Sequence, residues 1–313
     1  MLGDSARKIL TAAYEAYEPT FLRWAARRSA KDFLEHKEIG LSLFSAFEEV
    51  GPGGELKHGD FAELKSTYQL RTYGRRFGLT RQMFINDDLG GFTQVLSGMA
   101  ILAAININTR GYAVLVSNSG VGPLMAEDSC YLFSLAAGRV AGSGANTATG
   151  AAASGLNMAG LTTARKLLRN QRGILNPEGE AVAMNLTPAY MLVPSSLEVT
   201  ALQWVRSEQL NLSQTQTTTT LEQGTRNPHQ GLSDVIVEAL LDAATNGMTA
   251  WYLMADGRRP GAATLGVVFL NGVETPIIER VPQQSALSLE WEAFHDMGIA
   301  TLGHRGAVRM VGA

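Results

Sequence analysis

The sequence predicts an α+β fold in which distant strands pair, and three observations carry that reading. A run of alternating residues, Tyr68, Leu70, Thr72 and then Tyr73, Arg75, Phe77 and Leu79, feeds one long apolar helix. Four strand-like segments, Leu265–Leu270, Val273–Val281, Leu287–Phe294 and Gly298–Val311, crowd the far end of the chain. Between them, residues 161–263 carry helix and strand signals of their own. Pairing the strand at 68–79 with the C-terminal ones makes a split domain with 161–263 inserted.

Composition narrows the class. The 313 residues are 45% hydrophobic, enough for one large domain or two modest ones. Charged residues make up 18%, fewer than the usual quarter, which fits either a large core or a surface covered by neighbours. The net charge of -3 argues against a tight nucleic-acid binder, but not against a wall around DNA. A single cysteine, Cys130, excludes an intrachain disulfide framework and fits a reducing compartment. The Met1 end lacks a basic-then-apolar signal pattern. No apolar run reaches the length of about 18 residues that a membrane span needs.

In chain order, Ser5 to Tyr17 places Ala6, Ile9, Leu10, Ala13 and Tyr17 on one face of an amphipathic helix, with Pro19 beyond it. Arg23, Arg27, Arg28 and Lys31 around Trp24 form a basic segment, either a solvated face or a partner contact. Alternation at Leu41, Leu43 and Ser45 leads into a Gly51-Pro52-Gly53-Gly54 turn and a returning extended run, a hairpin with a polar tip at 51–59. The alternation from Tyr68 onward slips register near Thr72–Gly74, which predicts a bulge. Thr80 caps a short turn at Met83–Ile85. Asp87 and Asp88 then open the long helix, about Leu89 to Tyr112, where the dipole favours carboxylates. Phe92, Val95, Leu96, Met99, Leu102 and Ala103 recur at helical spacing as its apolar face, expected to pack on the C-terminal strands.

The string TYGRRFGLTRQMFINDDLGGF (72–92) resembles the signature segment of the major head subunit of Mu-type tailed phages and prophages. EEVGPGGELKHGDFAE (48–63) is similar to the flank that precedes it there. The resemblance is dense from Glu48 to Phe92 and one of layout after Leu161. It implies a Hong Kong 97-like phage major capsid fold. Residues 1–36 would be an N-terminal arm and 37–72 an extended-loop hairpin lying on a neighbouring subunit. Residues 73–160 and 264–313 would form a peripheral domain with a spine helix, and 161–263 an axial domain.

Beyond the helix, Asn118–Gly122 reads as a turn and the small-residue stretch 123–160 as a flexible connector. That stretch lacks the G-x-x-x-x-G-K-(S/T) and G-x-G-x-x-G spacings of nucleotide sites. Leu161–Arg172 predicts a helix ended by Gly173. Tyr190–Val193 is a short strand, broken by Pro194 before a helix that shows Leu197, Ala201, Leu202 and Val205 on one face. Ser213–Pro228 is a polar loop. Asp234–Leu241 reads as strand or helix, Thr249–Met254 as a strand, and Gly257–Ala263 as punctuation.

No residue set points to catalysis. His36, His58, His229, His295 and His304 are scattered without metal-ligand spacing, and no G-x-S-x-G elbow is present. Asp87 and Asp88 are explained by their place at a helix start, and Cys130 by a small apolar role. No enzyme activity, cofactor or metal is expected. Arg71, Arg75, Arg76 and Arg81 form the densest basic group, suited to bidentate carboxylate pairs or to phosphate. With Glu55, Lys57 and His58 of the hairpin tip, they are the candidate subunit contacts. Some capsid proteins of this fold link a loop lysine to an asparagine, but the Mu-type signature marks neither Lys57 nor Lys65 as reactive.

The resemblance implies a virion protein, assembled in the bacterial cytoplasm. Its copies would form pentamers and hexamers of an icosahedral shell around double-stranded DNA, with portal, scaffold and head protease as partners and no membrane. One alternative is an encapsulin-like nanocompartment shell around a cargo enzyme. A metabolic α/β enzyme is another, but it would need a convergent polar constellation, and the sequence presents none.

Overall fold

The long helix and the strands around it were placed in a computed structural model. It describes residues 2–41, 63–80, 89–126, 128–135, 144–173, 183–210, 225–242, 249–259, 261–281 and 288–312. These residues divide into two compact units. One lies within 1–38, 67–114 and 265–302, the other within 39–66, 115–264 and 303–313. The expected cap at Thr80, the Asp87–Asp88 helix start and the hairpin tip fall outside the described residues.

The first unit is built on strand β13 (Ser288–Thr301), which the sequence had suggested as two segments. Strand β4 (Arg71–Thr80) pairs antiparallel along it, from Arg71 opposite Met297 to Thr80 opposite Ser288. This is the long-range pairing that the alternation led us to expect. Strands β12 (Ile277–Arg280) and β11 (Leu265–Leu270) pair with β13 as well. Because Trp291 to Phe294 pair with β12 and β4 at once, those two strands lie on opposite edges of β13. β4 is therefore a ten-residue edge strand, with no partner on its outer side among the described residues. The expected slip at Thr72–Gly74 is not there, since the register runs unbroken. The break comes earlier, at Gln69–Leu70, after β3 (Glu63–Tyr68). Gly298 makes room for it: a β-carbon there would sit 2.5 Å from the Gln69 carbonyl oxygen. Leu70 turns inward to pack with Ala30, Val268 and Ala300.

Residues 2–30, cast by the resemblance as an arm, are packed within this unit. Helix α1 (Leu2–Ala16) lies against β12 and buries Leu10 and Tyr14, while Tyr17 is exposed. The basic segment contains strand β1 (Ala26–Ala30), parallel to β11. The long helix, here α3, runs Leu89–Leu115, and its buried stripe is Leu96, Ala100, Ala104, Ile107 and Tyr112. Val95 (44%) and Leu102 (63%), expected inside, are exposed. The helix is apolar nearly all round, so hydrophobic spacing selects no face, and the small residues mark the packed one. Its second half is held by the turn α2 (Phe21–Trp24). The Phe21 amide donates to Asn108 Oδ1 (3.0 Å), and Trp24 Nε1 donates to the Tyr112 hydroxyl (3.3 Å). Gly111 admits the Phe21 ring, which a β-carbon would meet at 2.5 Å.

Strand β2 (His36–Leu41) pairs with β3, and the His36 ring stacks on Tyr68 at 5.5 Å. That joins the first residue of one strand to the last of the other, as the base of a hairpin requires.

The second unit holds a sheet in the order β5 (Thr147–Ala148), β14 (Ala307–Met310), β10 (Trp251–Ala255), β6 (Pro188–Val193) and β9 (Asp234–Val237). β14 thus pairs with β10, whereas the sequence reading grouped all of 264–313 with the other sheet. Helices α5 (Met158–Arg169) and α6 (Glu198–Arg206) place Leu161, Ala164, Leu168, Ala201 and Val205 against Trp251 and Leu253. α5 starts earlier than expected because Asn157 caps it, accepting from the Gly160 amide at 2.8 Å, and it ends before Asn170 rather than at Gly173. The described part of 123–160 is ordered structure, including β5 and the short helix α4 (Ala151–Ser154), and not a flexible connector. Asn146, fully buried, donates from Nδ2 to the carbonyls of Leu132, His304 and Ala307 and accepts the Ser134 amide. Ser154 in turn accepts from Trp251 Nε1 on its carbonyl (2.9 Å).

Candidate assembly surfaces

The described histidines are structural. His295 is buried with Tyr14 edge-on at 6.1 Å and Phe269 stacked at 5.5 Å, and burial pushes its imidazole pKa down to about 4. His229 packs beside Trp204 and Arg165, with burial, then the arginine, lowering its pKa. His304 is fully buried, and His36 pairs with Asp32. Cys130 is half-buried in the turn after Met125. Among the described residues no three His, Cys, Asp or Glu side chains converge on a metal-sized site, and no helix is long and apolar enough to cross a membrane.

What the first unit does present is surface of three kinds. On β4, Arg71, Tyr73, Arg75 and Phe77 share one face, while Thr72, Gly74, Arg76 and Gly78 share the other. Arg110 of α3 lays its guanidinium over the Tyr73 ring, 4.3 Å from the centroid. Three arginines therefore gather at one rim of the sheet. On the opposite face Arg76 pairs with Glu292 (3.3 Å) and approaches Glu290 (3.8 Å), and Thr72 donates to Asp296 (2.6 Å). The third surface is the exposed apolar side of α3, with Val95, Ile101, Leu102 and Ile105.

Of the candidate contacts named from sequence, Arg71, Arg75 and Arg76 thus lie together on one exposed edge strand, and Arg76 is already paired within the sheet. Glu55, Lys57, His58 and Arg81 fall outside the described residues. Sequence reasoning missed Arg110, whose place depends on how the helix crosses β4, and the carboxylates of β13. Alternation alone would have put Glu290 and Glu292 on one face.

An edge strand, an apolar helix side and charged rims are the features that the described residues of this unit offer to a partner. The fold is that of phage capsid proteins. It matches the capsid structure of cyanophage P-SCSP1u with a TM-score of 0.54 at 11% identity, over 92% of this chain and 86% of that one. The capsid of Myoviridae phage XM1 matches with a TM-score of 0.53 at 13% identity, over 94% and 92%. A virus-like particle from Pyrococcus furiosus matches with a TM-score of 0.51 at 10% identity, over 99% of both chains. No curated protein matches the chain. Residues 63–310 match the phage capsid protein family, and the chain belongs to that family. Its fold is of the Hong Kong 97-like type.

Proposed function

We propose that this chain is the major head subunit of a Mu-type tailed phage or prophage. Many copies assemble in the bacterial cytoplasm into pentamers and hexamers of an icosahedral shell that encloses double-stranded DNA in the virion. The observation that carries the reading is the family match over residues 63–310, joined to a long edge strand, β4, that has no outer partner among the described residues. In this reading α3 is the spine of a peripheral domain, and much of 161–263 an axial domain meeting at capsomer centres. The hairpin based on β2 and β3 reaches a neighbour, bringing Glu55, Lys57 and His58 into subunit contacts beside Arg71, Arg75, Arg76 and Arg81. Portal, scaffold and head protease are its partners. No catalytic residue is involved: the work is burying interface and resisting the pressure of packaged DNA.

The likeness to the Pyrococcus furiosus particle favours a second reading, a nanocompartment shell around protein cargo. Both readings are tested by isolating particles from cells that express the chain with its neighbouring genes. Nuclease-protected duplex DNA supports the phage head, and an enriched protein cargo without DNA supports the compartment. Absence of particles under every condition contradicts both.

A further inference from the structure

We propose that copies of this chain join head to tail through the first unit's sheet. Arg71, Arg75 and Arg110 of one copy seat on the acidic face that β12 and β13 form in the next. The inference rests on the shell reading above and names a contact that reading leaves open.

The cationic side comes from topology. Arg71 and Arg75 stand two residues either side of Tyr73 on one face of β4, and Arg110 covers the ring between them. All three are exposed. Arg110 donates to Asn106 Oδ1 of its own helix, and no carboxylate among the described residues pairs with any of the three. An anion from outside supplies the counter-charge that the described residues do not. Planar guanidinium groups fixed at a rim suit carboxylates, which they grip through two parallel bonds.

The anionic side is on the other face of the same sheet. Glu279 of β12 lies directly opposite Glu292 of β13, a like-charge pair that disfavours the sheet, and Glu290 follows two residues along on the same face. Among the described residues, Arg76 is the arginine paired with Glu290 and Glu292. The sheet thus carries a positive surplus on one face and a negative surplus on the other. An isologous contact through either face alone would set like charge on like charge. A head-to-tail contact matches the two surpluses, and such contacts close into rings when the rotation per copy allows. Duplex DNA could also take up the arginines, but it gives the acidic face no partner, whereas a second copy satisfies both.

The test is a charge swap in the full chain, read as the concentration at which particles form. Arg71→Glu with Arg75→Glu, and separately Glu279→Arg with Glu290→Arg, should each raise that threshold by about tenfold or more. Combining all four should bring it back within about threefold of the parent chain, because the charges then match again. Unfolding midpoints show whether each variant is folded. For any that is not, Arg75→Cys with Glu279→Cys on a Cys130→Ser background should give disulfide ladders between copies on oxidation. A reversed pair that assembles like the parent, a folded four-fold variant that stays unassembled, or cysteines that never link copies overturns the proposal. Normal assembly of the arginine variant with loss of retained duplex DNA overturns it too, and assigns the rim to nucleic acid. A parent chain that never assembles contradicts the shell reading itself, a result visible before any variant is made.

Discussion

The two sheets solve the burial problem in opposite ways. In the second unit, every residue of β10 and β14 is buried. Helices α5 and α6 cover one side of that sheet, and on the other the Phe133 ring meets Tyr252 at 5.4 Å. Among its buried polar side chains, Asn146 bonds to four backbone groups of the same unit. In the first unit, β13 buries Trp291, Ala293, His295 and Met297 on one face and leaves Glu292, Phe294 and Asp296 half-exposed on the other. Its edge strand β4 has no partner on its outer side among the described residues. The described strands of the second unit are thus covered, whereas the first unit leaves backbone, charge and apolar surface exposed.

Asn146→Ala removes one hydrogen-bond partner from three carbonyls and one amide around a buried side chain. It should cost about 2–3 kcal/mol. Hydrogen exchange in β10 and β14 should accelerate while exchange in β13 stays as it was. Equal loss in both sheets would show that the units are not separately stabilised.

Acid should strike the first unit. His295 has its folded-state pKa lowered to about 4, first by burial, with the nearby Glu274 carbonyl and Asp296 opposing. As pH falls, the unfolded chain takes up its proton first, near the ordinary value of about 6.5. The stability is therefore whole above that pH and is lost between about 6.5 and 4, by roughly 3 kcal/mol in total. Replacing His295 with Phe should flatten urea midpoints over that range, and an unchanged acid slope would contradict the assignment.

A smaller effect is expected at the crossing of the chain into β4. Gly298→Ala drives a methyl group onto the Gln69 carbonyl and should cost about 2 kcal/mol, read as a fall in thermal midpoint. The smallest concerns the exposed side of α3. Leu102→Asp should change free-subunit stability by less than about 0.5 kcal/mol, since a side chain 63% exposed loses little burial. A large loss would mean that this helix side is covered within the chain.

Much of this was legible in the sequence where one period dominates. The long helix, β4, β6, β10 and β11 follow from alternation or helical spacing, and the β4–β13 pairing from topology. The rest depends on partners far along the chain. Ala26–Ala30 (ARRSA) has no apolar alternation and is a strand because β11 offers it an edge. α3 is so uniformly apolar that Ala100, Ala104 and Gly111, not its larger residues, show which side is packed. In the glycine- and alanine-rich stretch, composition spoke for a connector. A single asparagine there ties three strand and loop carbonyls together, and nothing local distinguishes it from a loop asparagine. Which sheet receives β14 is likewise a matter of pairing across the chain, invisible to any local pattern. The contact residues divided in the same way: clustered arginines could be read from spacing, but Arg110 and the acidic face needed the register of three strands.

In the proposed shell, other copies of the same chain complete the exposed surfaces of the first unit. Electron microscopy of the purified chain across a concentration series should then show capsomer rings or closed shells in which a neighbouring copy covers the outer side of β4. A monomer that persists at every concentration, or shells in which β4 faces solvent, would contradict it.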